Sequence, residues 1–212
     1  MAREEGGISR RQHYFRNGLG FEVRRHRRPG SGLFRSVQLR FQRLENHDGH
    51  TGRFQFREQV GKMRDDVDIV FVMGGTNDYG HGREEIAVPF GDFSDREPTT
   101  FFGALHTLFQ GLIRKYLGKK IVILIPPHRK GFGSFDDLTP NPETRKIFPE
   151  YLDAIRKTAE YYGLPILDLY RNLPLNPVLP EIREKYIPDG LHPNEEGHRL
   201  IAEAILNFLK TF

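Results

Sequence analysis

Two short stretches carry side chains of the types that acyl chemistry needs. In "PDGLHPNEEGH", residues 188–198, Asp189 and His192 stand three apart on a turn, just before an apolar helical pattern. A carboxylate so placed can hold one imidazole nitrogen and leave the other to take a proton from a nucleophile. The same residues also fit an ordinary Asp-Gly turn followed by a surface histidine. In "GGTNDYGHG", residues 74–82, Gly74 and Gly75 let backbone approach a ligand closely, and Asn77 carries an amide that can donate to an oxyanion. Asp78 and His81 could ligate a metal, but the spacing fixes no third ligand. A phosphate loop is not expected, because no Gly-Lys-Ser/Thr follows and the pattern opens no helix promptly.

Both stretches sit where a parallel sheet would place them. "VDIVFVM" from Val67, "KIVILIPPH" from Lys120 to His128 and "LPILDLY" from Leu164 to Tyr170 read as buried strands. Between them, Phe101, Leu105, Leu108, Leu112 and Tyr116 fall at helical spacing, with Thr99 as N-cap and Gly118 as stop. Leu152, Ile155, Ala159 and Tyr162 repeat the pattern up to Gly163, and a last helix follows with Pro193 in its first turn and Leu200, Ile201, Ala204, Ile205 and Phe208 on one face. Alternating strands and helices predict an α/β fold whose ligands bind beyond the strand C-termini. The loops after Met73 and Ile125 are long and rich in Gly, Pro and Phe, as lids and binding loops are. Their aromatic residues Tyr79, Phe90, Phe93, Phe132 and Phe135 also suit a non-catalytic carbohydrate-binding module.

Composition narrows the classes. The 212 residues suffice for a single domain, 1–212. There is no cysteine, so disulfides and thiolate metal sites are excluded, and no apolar run is long enough to span a bilayer. A soluble, cytoplasmic protein is expected. Residues 1–60 hold thirteen Arg, no Lys and six acids, net +7, whereas residues 61–212 hold nineteen bases and twenty-two acids, net −3. An arm that binds nucleic acid mixes Lys with Arg and carries a reading element, so no nucleic-acid partner is expected.

Together, "GGTND" at the end of the first readable strand and "DGLHPN" before the last helix resemble blocks III and V of the SGNH hydrolases, the GDSL-type esterases and lipases. The resemblance covers about residues 65–212. It implies a flavodoxin-like three-layer α/β/α sandwich with a parallel sheet. It also implies a serine esterase in which Asn77 donates to the oxyanion, beside the backbone at Gly75, while Asp189 orients the base His192. No metal or cofactor is implied; the substrate would be a small-molecule carboxylic ester, with acylated carbohydrate suggested by "GGTNDYGHG" and "GALHTL".

The resemblance also requires a Gly-Asp-Ser motif near the start, carrying the nucleophile, and none occurs. Ser9, Ser31 and Ser36 follow no apolar strand, so the nucleophile stays unassigned and the family's N-terminal strand and helix are expected to be disrupted. The genetic code offers a reason. Arg10 to Phe15 can be encoded CGG CGA CAG CAT TAC TTC, which one base later reads GGC GAC AGC ATT ACT, Gly-Asp-Ser-Ile-Thr. At the same offset, Gln38 to Leu44 can be encoded to read Asn-Tyr-Gly-Phe-Asn-Gly, resembling the family's second block. Residues 1–60 are thus expected to be an anomalous, out-of-frame segment, the native frame resuming between Phe54 and Asp66. Sequencing the DNA for Met1–Asp66 is expected to return codons that permit the shifted motifs; codons that forbid Gly-Asp-Ser there would contradict the shift.

Overall fold

A computed structural model describes residues 20–23, 37–40, 60–61, 63–81 and 87–211. Its centre is a parallel sheet of three strands, β3 (Ile69–Met73), β4 (Lys120–Ile125) and β5 (Ile166–Asp168), in that spatial order. The register pairs Met73 with Leu124 and Ile125 with Asp168, so the strands end nearly level and their C-termini share one edge. The strands are short and apolar on both faces because both faces are covered. Val70, Ile121, Ile123 and Ile125 pack on one side with helices α2 (Phe101–Lys115) and α3 (Phe148–Tyr161). Ile69, Phe71, Val122, Leu124 and Leu167 pack on the other with Ile201 and Ile205 of the final helix, Glu195–Leu209. These are the three layers of an α/β/α sandwich. Two further strands, β1 (Gly20–Val23) and β2 (Val37–Arg40), pair antiparallel in a sheet of their own. The expected shifted motifs at Arg10–Phe15 and most of Gln38–Leu44 lie outside the described residues, as do Ser9, Ser31 and Ser36.

Two helices start later than the sequence pattern suggests. Thr100, not Thr99, caps α2: its extended backbone places its hydroxyl to accept from the Gly103 amide at 3.1 Å. Pro193 lies before the final helix, and Asn194 caps it, accepting from the Gly197 amide at 3.0 Å. Three short helices had no legible pattern: α1 (Thr76–Gly80), α4 (Leu169–Asn172) and α5 (Pro180–Tyr186), which makes the final helix α6. A buried ion pair ties α3 to the end of β5, Arg156 Nε donating to Asp168 Oδ2 at 2.7 Å, while Asp168 Oδ1 accepts from the Arg171 amide and caps α4. Among the described residues no helix is long and apolar enough to cross a membrane.

Two glycines of α2 test this packing in opposite directions. A Cβ on Gly103 would lie 1.8 Å from the Glu97 carbonyl oxygen, whereas one on Gly111 would meet only Val60 Cγ1 at 3.9 Å. In urea unfolding, Gly111→Ala is expected to stabilise by about 0.5–1 kcal/mol through helix propensity, and Gly103→Ala to destabilise by about 1–3 kcal/mol through overpacking. Effects of one sign at both positions would contradict the packing of α2.

Candidate active site

The Asp189–His192 turn is built by its own backbone. Gly190 adopts a left-handed conformation (φ 75°) and its amide donates to the Ile187 carbonyl at 2.8 Å. One carboxylate oxygen of Asp189 accepts from the amides of Leu191 (2.8 Å) and His192 (2.7 Å). The other meets His192 Nδ1 at 2.6 Å. A carboxylate can only accept, so Nδ1 carries the proton, and in the neutral ring the Nε2 lone pair is free. Partial burial pushes the Asp189 carboxyl up, but the two amides and the imidazole outweigh it and hold its pKa below the ordinary value. Nε2 of His192 has no hydrogen bond among the described residues, and the side chain is 66% exposed. His198, one turn into α6, lies beside this pair: chiefly burial, with a smaller contribution from the neighbouring His192, pushes its pKa down to about 4. Its place in "NEEGH" carries no spacing that singles it out.

The turn after β3 supplies the second group. Gly75 is buried with φ 94°, and a Cβ there would lie 2.7 Å from Ile155 Cδ1, so only glycine fits. Helix α1 opens immediately at Thr76, contrary to the expectation that no helix follows promptly; five residues need no apolar stripe to fold when a neighbouring loop holds them. Asn77 stands exposed on its first turn. The loop after β4 holds α1 from behind. Asn141, fully buried, donates through Nδ2 to the carbonyls of Tyr79 (2.7 Å) and His81 (3.1 Å) and accepts through Oδ1 from the amides of Glu143 and Thr144. Tyr79 OH donates to the Thr139 carbonyl at 2.7 Å. The same loop reaches the other turn, the Lys130 amide donating to the Gly190 carbonyl at 2.6 Å. Nothing in the sequence pattern singles out Asn141, because its role depends on carbonyls roughly sixty residues away.

The aromatic loop residues behave differently from a binding surface. Tyr79 is fully buried, and Phe90, Phe93 and Phe132 pack on the main core, with ring contacts to Tyr151, His106 and Tyr79 respectively. Of the five, Phe135 alone is exposed, its ring beneath the Arg183 guanidinium at 3.9 Å. The two serines among the described residues are also engaged elsewhere: Ser94 bonds Asp92, and Ser134 accepts from the Asp136 amide. Neither hydrogen-bonds His192. Among the described residues no group of three His, Asp or Glu side chains is arranged to hold a metal ion.

Two comparisons relate the chain to known proteins. A profile of the GDSL-like lipase/acylhydrolase family matches residues 12–200. A solved protein from Lactobacillus plantarum is 32% identical with a TM-score of 0.65, covering 73% of this chain and 72% of that one. A solved possible lipase from Chitinophaga pinensis is 21% identical with a TM-score of 0.53, covering 77% and 80%, and shares the fold. A search of curated proteins finds no match.

Asp78, beside Asn77, borders a narrow apolar void lined by Val72, Phe101, Leu105 and Ile155. Burial raises its pKa from 3.8 to about 6, against the pull of its own and the Gly75 backbone. A raised folded-state pKa contributes stability that is present below about pH 4 and lost as pH rises through about 6, by up to about 3 kcal/mol. Asp78→Asn is therefore expected to gain stability relative to the parent between pH 4 and pH 7 in urea titrations. A difference that does not change with pH would contradict the burial of this carboxyl.

Proposed function

The chain belongs to the GDSL-like lipase/acylhydrolase family, and from that membership we propose that it is a carboxylic-ester hydrolase with His192 as base, Asp189 as its orienter and Asn77 as an oxyanion donor. The observation that carries this reading is the 2.6 Å contact between Asp189 and His192 Nδ1, which leaves Nε2 free to take a proton. The nucleophile of the proposal is the serine of the shifted Gly-Asp-Ser reading at Arg10–Phe15. Its Oγ attacks the ester carbonyl carbon as His192 Nε2 takes the hydroxyl proton, and the carbonyl oxygen becomes an oxyanion held by the Asn77 amide and backbone N–H groups. Collapse breaks the bond to the alcohol, which leaves with the proton from His192. Water then attacks the acyl-enzyme by the same route, giving the carboxylic acid and returning the serine.

The half-exposed setting of Asp189 and His192 suits an acyl group carried on a larger alcohol, such as an acylated sugar. Four of the five loop aromatics lie against the core, which removes most of the platform a carbohydrate-binding module would need. With base and oxyanion donor present and the Gly-Asp-Ser serine absent from the frame as written, this reading has the chain impaired in acyl transfer. Hydrolysis of an aryl acetate tests it. The frame-restored protein is expected to turn over, His192→Ala to lower kcat by about 10⁴-fold and Asn77→Ala by about 10²–10³-fold. The chain as written is expected to show little or no turnover. Equal rates from the written and restored chains would overturn the assignment of the nucleophile, and no hydrolysis by the restored chain would overturn the activity.

A further inference from the structure

Beyond Pro126 and Pro127, three consecutive residues bond to three different segments of the chain. His128 Nδ1 meets Asp137 Oδ2 at 2.9 Å, and Asp137 Oδ1 accepts from Tyr170 OH, just beyond β5. Arg129 turns inward, 8% exposed, with Nη1 donating to the Thr76 carbonyl and Nε to the Lys130 carbonyl at 2.9 Å. The Lys130 amide donates to the Gly190 carbonyl at 2.6 Å. Thr76 immediately precedes Asn77, and Gly190 immediately follows Asp189. A single dipeptide is thus bonded to both halves of the site.

Arg129 is an expensive way to fill this space. Its guanidinium carbon lies 5.0 Å from the Tyr79 ring centroid and 5.9 Å from that of Phe148, and among the described residues it has no carboxylate at ion-pair distance. Burial pushes its pKa down to about 10, with Tyr79 and Asp137 pulling back. Buried charges are commonly matched or bettered in stability by an apolar residue of the same size, so packing alone does not call for arginine here. Local sequence also makes way for it. A Cβ on Gly80 would sit 2.8 Å from Nη1, and the glycine lets the guanidinium reach across α1 to Thr76.

We infer that Arg129 is a positioning residue: through the Thr76 carbonyl, and through the neighbouring Lys130 bond to Gly190, it fixes the Asn77 turn relative to the Asp189–His192 turn. Its consequence for catalysis rests on the ester-hydrolase reading, whereas the coupling of the two turns does not. Hydrogen–deuterium exchange on the full chain as written separates the two. Arg129→Met is expected to raise exchange about tenfold or more in peptides spanning 74–81 and 188–192 together, with β3–β5 unchanged. Arg129→Lys, which keeps a cationic donor, restores most of the protection. No change at either turn, or a uniform rise across the chain, would overturn the inference. In the frame-restored protein Arg129→Met is expected to lower kcat by up to about 100-fold with KM within about twofold, and Arg129→Lys to recover part of it. A raised KM with unchanged kcat would make Arg129 a substrate contact and overturn the positioning role. If the restored parent hydrolyses no ester, the functional reading falls while the exchange result still decides Arg129.

Discussion

Two turns distant in the chain form one site only if something holds both, and the segment leaving β4 is bonded to each. Parallel strands of nearly equal end-points bring their loops to a common edge, but the strand ends alone do not fix the loops relative to one another. The bonds of Arg129 to Thr76 and of Lys130 to Gly190 tie the loop after β4 to both turns, and Asn141 and Tyr79 tie it further to the first. The long loop after β4 is therefore scaffold for the site. Its Gly and Pro content serves tight packing: a Cβ on Gly131 would lie 2.4 Å from the Asp136 carbonyl oxygen. Proton transfer and oxyanion stabilisation both fail with small displacements, so a polar network that fixes two turns at once has more consequence than its few hydrogen bonds contribute to stability.

The parts of the fold that were legible are those in which a period records burial. β3, β4 and β5 are apolar on both faces because helices cover both, and α2, α3 and α6 carry one apolar stripe each. What the pattern could not fix is set by single hydrogen bonds. Thr99 and Thr100 are alike as residues, and only the extended backbone of Thr100, with its bond to the Gly103 amide, makes it the cap. Thr76–Gly80 has no stripe, and its far end is held by Asn141, which donates to the Tyr79 and His81 carbonyls. The loop aromatics misled for a related reason: exposure is not written in composition, and Phe90 beside Phe101 and Tyr151 is core in everything but chain position.

Of the candidate site, Asp189 and His192 were legible because their contact is local, three residues apart on a turn whose glycine and cap are equally local. Gly75 was legible as a flexible position, though the reason only glycine fits, the approach of Ile155, is tertiary. Arg129 and Asn141 were not legible at all. Each is a polar residue in an aperiodic loop, and each acts on backbone carbonyls that sequence order places far away. The serine was legible only by its absence, since a motif that should precede "GGTND" is missing from the frame in which the rest of the chain reads well.

On the proposed reading, base and oxyanion donor stand ready in this chain while the nucleophile lies one reading frame away. A serine-directed fluorophosphonate, followed by mass spectrometry of the labelled peptide, reports on that most directly, because covalent capture needs both an activated hydroxyl and its base. The account predicts no labelling of the chain as written, and labelling of the frame-restored chain at the serine of Gly-Asp-Ser-Ile-Thr that disappears with His192→Ala. Labelling of the written chain at any of its serines, Ser9, Ser31, Ser36, Ser94 or Ser134, lost with His192→Ala, would contradict it.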